Sequence, residues 1–480
     1  MMRPLVWTSA ILLAGLATAS VGPAVQAPSA VFLAHTTRPS ASEASPRPFM
    51  DGVIEGFYGP DWTAANTEAV FKFMARTQLN TFVYAPKYDP YQRADWMIPY
   101  PPKPYKVLST LVRSAKSEHI TFVYSVSPGL SIHYQNPLDR KRLLAKIDQV
   151  QRLGVSHFML SFDDIGGELT ATLATKQAQL ADFIVHHERI QHPAFTLIFT
   201  PTLYDGIRPN PYWAALKTSL YQGISVVWTG PYVLSKTISS KDEETAQRLI
   251  GHRLVIWDNY PVNDYTYLEP PYHPHLFLGP VTGRSPGLKA RVAGYFFNPM
   301  LQAQASEVAL YTGASYLNHP LSYHPQSAWR HALAFFGGKA RASFSLFASA
   351  NSSSFLAPSR NSLSAQIRNF WAIRPRHPNH SALEKTFAAM ANANANMQAG
   401  LPYPIFYQQI SPWSRLFSEE GRAGMEAIAL LAAAKSGKRP NPHQIQVLTQ
   451  LQSSMVSSKL SLDTTPSVEQ FIHTVLGRFS

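Results

Sequence analysis

The sequence predicts an α/β fold: a (β/α)8 barrel of the TIM type, followed by a C-terminal helical domain. Eight short runs of apolar, β-branched and aromatic residues follow one another between residues 50 and 299, and helix-like segments separate most of them. This alternation is typical of a parallel barrel surrounded by helices. Beyond about residue 335 only helical patterns remain, broken by Pro, Gly and Asn, and they predict the second domain.

Each of the eight runs has the length and composition of a strand. Several are nearly continuous apolar stretches, as expected where helices cover both faces of a parallel sheet. The runs occupy residues 50–59, 80–87, 120–129, 156–164, 195–204, 224–230, 253–261 and 292–299.

The segments between these runs carry helix signals. The first, residues 64–78, follows Asp61 and Thr63, which are both plausible N-caps. Residues 138–154 end on Gly154, a good helix stop. Further helix-like segments lie at residues 105–119, 175–191, 241–252 and 300–316.

The N-terminus resembles a secretory signal peptide. Arg3 is followed by an uncharged apolar run, and small residues at 24–27 offer a cleavage site. We therefore predict a signal peptide at residues 1–27 and a flexible, Ser- and Pro-rich lead-in at residues 28–48. The apolar run is marginal in length for a membrane span, so an uncleaved anchor is the alternative. After cleavage we expect an exported protein, periplasmic or secreted, with no stable membrane span.

The remaining chain divides into two predicted domains, the barrel at residues 49–335 and the helical domain at residues 336–480. The 480 residues are 45% hydrophobic and 15% charged, which provides a large core and excludes a disordered chain. The lack of cysteine excludes disulfides, thiolate zinc sites and a cysteine nucleophile. The formal charge is +13, but the basic residues are scattered and form no nucleic-acid signature. We therefore expect no nucleic-acid partner.

Conspicuous polar residues stand at the C-terminal ends of the predicted strands, where a barrel of this type carries its active site. Independent surface loops would have little reason to collect such residues at one end of the strands, so we expect them to share one site. They are Glu55, Lys87, Asp163, Asp164, Tyr204, Thr229, Asn259, Asp264 and Asn298.

Two adjacent carboxylates, Asp163 and Asp164, end the fourth strand and have three interpretations. They could be a surface or helix-cap pair. They could hold Mg²⁺ or Ca²⁺, but few other carboxylates stand near the strand ends and no His-Glu-x-x-His motif is present. They could also be the acids of a carbohydrate-cleaving enzyme, which we favour, and we predict no metal.

The spacing of the pair favours one division of labour. Ordinary retaining glycosidases place nucleophile and acid on different elements, about 5–5.5 Å apart. Neighbouring residues better suit a reaction in which a 2-acetamido group of the substrate attacks the anomeric carbon and forms an oxazoline. One carboxylate then orients the acetamido N–H, and the other acts as general acid and base. Coupling between two close carboxylates raises one pKa and helps to keep the acid protonated.

The other residues at these strand ends suit a sugar ligand. Asp264 can accept hydrogen bonds from two sugar hydroxyls. Side chains able to bind hydroxyl or amide groups are Tyr204, Asn259 and Asn298, and flat apolar faces are Trp228, Trp257 and Tyr260.

Seven motifs in order resemble glycoside hydrolase family 84, the β-N-acetylglucosaminidases that include O-GlcNAcases and enzymes described as hyaluronidases. The resemblance spans about residues 50–335, and residues 267–280 look like a variant loop near the rim. The motifs are GVIEGFYGPDWT (52–63), YAPKYDPY (84–91), SFDDI (161–165), TPTLYD (200–205), WTGP (228–231), WDNYPVNDY (257–265) and FNPM (297–300).

The resemblance implies a role for each residue that matches a family motif. Asp163 would orient and polarise the acetamido nitrogen, Asp164 would be the general acid and base, and Tyr204 would hydrogen-bond the acetamido oxygen. It also implies retention of configuration, with no metal and no cofactor. The groups implied to hold the sugar hydroxyls are Lys87, Asp264, Asn298 and the Gly56 backbone; those around the acetamido group are Asn259, Thr229 and Trp257.

We therefore predict an exported, retaining exo-β-N-acetylglucosaminidase that hydrolyses terminal β-linked GlcNAc. Cleavage of hyaluronan is the enzymatic alternative, and the positive charge weakly favours it. A carbohydrate-binding protein without turnover would require damage to the aspartate pair or to Tyr204, and all three residues are present. The sequence leaves open the natural aglycone (glycoprotein, hyaluronan or a peptidoglycan fragment), the oligomeric state and the role of the helical domain.

Overall fold

The computed structural model describes residues 49–270, 272–373, 381–437, 439 and 441–479. The predicted signal peptide and lead-in lie outside the described residues. The described residues from Phe49 onward form one compact unit. In the described part of the chain, no helix is both long and apolar enough to span a bilayer.

Eight parallel strands close into a barrel in chain order, which confirms the predicted fold class. The first strand pairs with the last from Met50 opposite Gly294 to Val53 opposite Phe297, and this pairing closes the sheet. Each strand lies inside the run predicted for it. The strands are β1 (Met50–Glu55), β2 (Thr81–Tyr84), β3 (Thr121–Val126), β4 (His157–Ser161), β5 (Thr196–Thr200), β6 (Ser225–Trp228), β7 (Leu254–Asp258) and β8 (Gly294–Phe297).

A helix follows each strand. Of the two candidate caps of the first helix, Thr63 is the one used, because its side chain accepts a hydrogen bond from the Asn66 N–H. The helices are α1 (Ala64–Thr77), α2 (Pro102–Ser117), α3 (Pro137–Gln151), α4 (Ala171–Gln191), α5 (Pro211–Ser219), α6 (Ser240–Ile250), α7 (Tyr265–Leu268) and α8 (Ala303–Asn318).

Apolar side chains form two separate cores. The alternate strand residues pack outward against the helices, in a larger core that also includes the C-terminal helices. This arrangement follows from the two-residue period of a strand and leaves the strand ends free to carry polar groups. The strand residues that fill the barrel interior are Ile54, Val83, Val123, Met159, Ile198, Val227, Val255, Trp257 and Phe296.

The C-terminal region is helical, as predicted. One of its helices, Pro325–Gly337, includes residue 335, where the sequence analysis places the end of the barrel domain. That domain boundary stays a prediction. Two of these helices approach each other closely, since a Cβ on Gly424 would lie 2.3 Å from the Phe387 ring. The helices are α9 (Pro325–Gly337), α10 (Arg341–Ser349), α11 (Leu363–Ile373), α12 (Ser381–Gly400), α13 (Pro404–Lys435), α14 (Pro442–Ser457) and α15 (Thr465–Leu476).

The C-terminal region supports the connection between β7 and β8. The Pro274 carbonyl on this connection accepts hydrogen bonds from Trp413 Nε1 and from the Ser461 N–H, each at 3.0 Å. Asp264 lies on the same connection, at the start of α7. The C-terminal region therefore supports one of the strand ends that carry the predicted site residues.

Candidate active site

The two aspartates that follow β4 face the same site. In an extended strand, successive side chains point to opposite faces, so a continued strand would separate them. Asp164 instead has a φ of 55°, in the left-handed region. As a result, both carboxylates lie at the Lys87 ammonium. Asp163 Oδ2 pairs with it, and Asp164 Oδ2 lies 4.0 Å from it.

Asp163 is a buried carboxylate that positive charge keeps ionised. Burial alone would raise the pKa of Asp163, but the charges of Lys87 and Arg93 lower it from its ordinary value. Its Oδ1 atom is buried and has no hydrogen-bond partner among the described residues. A charged carboxylate with a free buried oxygen can accept a hydrogen bond from the N–H of a ligand.

Asp164 is held by two phenols. Tyr204 donates a hydrogen bond to Oδ1 at 2.6 Å, and Tyr58 donates one to Oδ2 at 3.0 Å. Burial raises the pKa of both phenols, and the nearby Asp164 charge raises it further, so both hydroxyls stay protonated donors. The Asp164 side chain is 23% exposed, which leaves it able to exchange a proton with a ligand or with water.

Asp264 joins the aspartate pair through Tyr58. Its carboxylate accepts hydrogen bonds from the N–H of Tyr58 at 2.7 Å and from the N–H of Tyr265 at 2.8 Å. Burial raises its pKa, and these two hydrogen bonds oppose that effect. Tyr58 therefore binds Asp264 through its backbone and Asp164 through its hydroxyl.

Two asparagines form a second chain of hydrogen bonds. Asn298 Oδ1 accepts from the Gly56 N–H at 3.3 Å, and Asn298 Nδ2 donates to Asn259 Oδ1 at 2.9 Å. Asn259 Nδ2 in turn donates to the Val233 carbonyl at 2.8 Å. These bonds fix the orientation of both amides and connect the ends of β1, β7 and β8.

Trp257 and Thr229 complete the network. A Cβ on Gly56 would lie 2.2 Å from the Trp257 ring, so only glycine fits against this indole. Lys87 Nζ lies 5.4 Å from the centroid of the same ring, within the range of a cation–π contact. The Thr229 N–H donates to the Tyr204 carbonyl at 2.9 Å and fixes the tyrosine backbone. Each of the ten predicted site residues therefore contacts another member of the site or is linked to one through Tyr58.

A family model for beta-N-acetylglucosaminidase matches residues 51–349, which is more than half of the chain. The chain belongs to this family, glycoside hydrolase family 84.

Two curated proteins similar to this family 84 chain are named Protein O-GlcNAcase, one from Rattus norvegicus and one from Mus musculus. Each is 36% identical over 283 residues. The alignment covers 56% of this chain but only 30% of each relative. The chain thus corresponds to less than a third of the length of these relatives.

Solved structures of family 84 proteins resemble the chain over most of its length. A mutant of the Thermobaculum terrenum O-GlcNAc hydrolase superposes with a TM-score of 0.78 at 27% identity, covering 89% of this chain and 94% of that one. A structure of CpGH84B superposes with a TM-score of 0.76 at 25% identity, covering 89% and 76% of the two chains. The similarity therefore extends beyond the barrel into the C-terminal helices.

Three residues expected at the rim of the family 84 site lie elsewhere. Trp228 and Tyr260 are fully buried, so the prediction that they offer flat faces to a sugar is wrong. Their polar atoms donate hydrogen bonds to main-chain carbonyls. Trp228 Nε1 donates to the Gly206 carbonyl, and the Tyr260 hydroxyl donates to the Gly279 carbonyl. Glu55 is also buried and accepts from the Trp62 N–H at 2.8 Å, which anchors the β1–α1 loop.

Sequence reasoning missed two residues that contact the aspartate pair. Tyr58 lies inside the first family motif (52–63), but its position in the sequence did not predict that its hydroxyl reaches Asp164. Arg93 follows β2 and donates a hydrogen bond from Nη2 to the Asp164 carbonyl at 3.1 Å. The only local signal was a second basic residue in the loop that carries Lys87.

A third missed interaction lies beneath the site. Asp258, next to Asn259, is buried and forms a two-pronged ion pair with Arg284, at 2.5 and 2.8 Å. Arg284 also donates to the carbonyls of Ser235 and Lys236, and so joins β7 to the β6–α6 loop.

No group of three or more His, Asp or Glu side chains within the described residues could hold a metal ion.

Proposed function

We propose that the protein is a retaining exo-β-N-acetylglucosaminidase that removes terminal β-linked GlcNAc by substrate-assisted catalysis. The observation that carries the proposal is the asymmetry of the aspartate pair at one site. Asp163 is held as an anion by positive charge and has a free buried oxygen, whereas Asp164 is partly exposed and can exchange a proton with a ligand or with water. This reaction needs one carboxylate that stays charged and one that carries a proton.

In the first step, Asp163 Oδ1 accepts a hydrogen bond from the acetamido N–H and makes the acetamido oxygen more nucleophilic. That oxygen attacks the anomeric carbon while the bond to the leaving group breaks. Asp164 gives its proton to the leaving oxygen. Tyr204 turns its hydroxyl from Asp164 to the acetamido oxygen. The products of this step are an oxazolinium ion, whose N–H keeps its hydrogen bond to the ionised Asp163, together with the free aglycone and an ionised Asp164.

In the second step, water attacks the anomeric carbon from the side that the aglycone left. Asp164 accepts the water proton, and the bond between the anomeric carbon and the acetamido oxygen breaks. Two displacements at the same carbon retain its configuration. Asp164 ends the cycle protonated, ready for the next substrate.

The other residues of the site support a terminal sugar. Asp264, Asn298 and the Gly56 backbone lie together, and we assign them to the sugar hydroxyls. Trp257 and Thr229 are assigned to the methyl of the acetamido group. Lys87 pairs with Asp163, so we assign it two roles. It keeps that carboxylate ionised, and it binds a sugar hydroxyl.

We also propose that the protein is exported and that residues 1–27 are removed. The support is the N-terminal pattern of one basic residue, an apolar run and small residues before residue 28. Mass spectrometry of the protein from fractionated cells tests this. A mature chain that begins near residue 28 outside the cytoplasm is expected, and a full-length chain in the membrane fraction would indicate an anchor.

The test of the proposed activity is hydrolysis of an aryl β-N-acetylglucosaminide, with and without a GlcNAc-thiazoline. The thiazoline mimics the oxazoline, so an enzyme that forms this intermediate should bind it tightly. The control substrate is the matching aryl β-glucoside, which lacks the acetamido nucleophile and should not be cleaved. Equal cleavage of both glycosides, with no inhibition by the thiazoline, would overturn the substrate-assisted mechanism.

The natural aglycone is a separate question. The curated relatives carry the name O-GlcNAcase, so a GlcNAc-modified protein is the first aglycone to test, followed by hyaluronan and peptidoglycan fragments. Analysis of the products formed from each of the three substrates identifies which one is cleaved. An exo-enzyme should release single GlcNAc residues, and only from chain ends that carry this sugar.

A further inference from the structure

Arg93 is a buried cation that forms no salt bridge with any carboxylate in the described part of the chain. It lies in the loop between β2 and α2 and is 5% exposed. Among the described residues, no carboxylate oxygen lies within 4.0 Å of its guanidinium. A buried charge is costly unless neighbouring groups compensate for it, so the position of this arginine requires a reason.

The guanidinium binds the main chain of the aspartate pair instead. Nη2 donates to the Asp164 carbonyl at 3.1 Å, and Nη1 lies 3.5 Å from the Asp163 carbonyl. The other contacts are from Nη1 to Ser127 Oγ at 3.1 Å and from Nη2 to the Tyr58 hydroxyl at 3.4 Å. One rigid planar group thus joins the end of β3, the aspartate turn and Tyr58.

Asp164, one of the two residues that Arg93 contacts at 3.1 Å, has an unfavourable backbone conformation. A left-handed φ on a residue other than glycine costs about 1–3 kcal/mol and persists only where the surroundings hold it. Relaxation of Asp164 to an extended conformation would point its carboxylate away from Asp163. The Arg93 contact to the Asp164 carbonyl opposes this relaxation.

We propose that Arg93 is a positioning residue for the reaction: it holds the Asp163–Asp164 turn so that both carboxylates reach the same sugar. The inference rests on the proposed function. Arg93 also contributes charge, because it follows Lys87 among the groups that lower the pKa of Asp163. The two contributions can be separated, since lysine keeps the charge but cannot span two carbonyls, and methionine keeps neither.

The test measures turnover of an activated aryl β-N-acetylglucosaminide from pH 4 to 9 by the wild type, Arg93→Lys and Arg93→Met. Arg140→Met is the control, because the guanidinium of Arg140 contacts the Phe183 ring and the Tyr134 carbonyl, neither of which belongs to the residues assigned to the site. Both Arg93 variants should lose about 100-fold in kcat, as expected for misplaced catalytic groups. Only Arg93→Met should also move the acidic limb of the kcat/KM profile to higher pH.

Chemical rescue distinguishes positioning from a purely structural role. Free guanidinium ion should restore part of the activity of Arg93→Ala, whereas the same concentration of ammonium should not. Thermal unfolding of each variant gives the folded fraction during the assay. Rates within about threefold of the wild type, or losses that match the unfolded fraction and resist rescue, would overturn the inference. A wild type that neither turns over nor binds the thiazoline would instead overturn the proposed function, and this inference with it.

Discussion

At the scale of single residues, the site gives its two aspartates different surroundings. Asp163 is buried and paired with Lys87. Asp164 is partly exposed and accepts hydrogen bonds from the hydroxyls of Tyr204 and Tyr58. Positive charge lowers the pKa of Asp163, and Asp164 is the more exposed of the two, so these adjacent residues differ in their charge environment and in their access to water. Their substitutions should have different kinetic effects.

Asp164→Asn should remove the proton that the leaving group needs. We expect kcat/KM to fall by about 100-fold or more for alkyl glycosides, and by much less for aryl glycosides with acidic leaving groups. A series of leaving groups measures the difference. Asp163→Asn is the matched variant, and it should slow every member of the series alike. Equal losses along the series for Asp164→Asn would contradict its assignment as the acid.

Lys87→Met should change the pH dependence. The lysine charge opposes the effect of burial on Asp163, so its loss raises the pKa of that carboxyl. The proposed reaction requires Asp163 as an anion, so the acidic limb of kcat/KM should move to higher pH, by about one unit or more. Lys72→Met, on the exposed face of α1, is the control. A higher KM with an unmoved limb would show that Lys87 acts on the sugar alone.

At the scale of secondary structure, α8 receives its N-terminal cap from another helix. Its own N-cap residue, Gln302, makes no side-chain cap. Instead, Gln409 of α13 accepts hydrogen bonds through Oε1 from the N–H groups of Gln304 at 2.8 Å and Ala305 at 3.2 Å. The first turn of α8 follows the Asn298 segment, so this contact ties the C-terminal region to a strand end that carries a site residue.

Gln409→Ala should destabilise this junction. The loss of a cap costs about 0.5–2 kcal/mol, because two N–H groups of the first turn lose their partner. Urea unfolding followed by circular dichroism measures the change. Gln408→Ala is the control, since this neighbouring glutamine is exposed. Equal stability of the two variants would show that water replaces the cap at no cost.

At the scale of the whole molecule, a buried acid makes folding stability depend on pH. Glu420 on α13 accepts hydrogen bonds from the hydroxyls of Thr464 and Thr465, each at 2.5 Å, at the start of α15. Burial raises the Glu420 pKa from 4.5 to about 7, and these hydrogen bonds oppose the shift. The folded state therefore binds more protons than the unfolded state between these two pH values. Stability falls as pH rises through this window.

Glu420→Gln should remove this pH dependence. We expect the wild type and the variant to have similar stability near pH 4.5, and the variant to be more stable at pH 8, by about 3 kcal/mol at most. Calorimetry at the two pH values measures the difference. Glu419→Gln, one residue earlier and partly exposed, should follow the wild type. A variant that is less stable than the wild type at pH 8 would show that the ionised Glu420 is favourable.

The sequence predicted the barrel because its signals are local. Each strand is a short apolar run that can be recognised from its own residues, and the polar groups at the strand ends follow from the position of those runs. The contacts of Arg93 were not predictable, because its partner carbonyl lies 71 positions away. The Asp258–Arg284 pair spans 26 positions and has no periodic pattern. The burial of Trp228 and Tyr260 likewise depends on how the loops pack, which no local pattern encodes.

The left-handed turn at Asp164 also makes the protein a candidate laboratory reagent. Asparagine is among the few residues that adopt this conformation readily, so Asp164→Asn should leave the turn, the sugar contacts and the Asp163 carboxylate in place. A site that recognises terminal GlcNAc but has lost its proton donor would retain glycans long enough to isolate them. Immobilised on a resin, the Asp164→Asn protein would act as an affinity matrix for GlcNAc-terminated molecules, and elution with free GlcNAc would recover them intact.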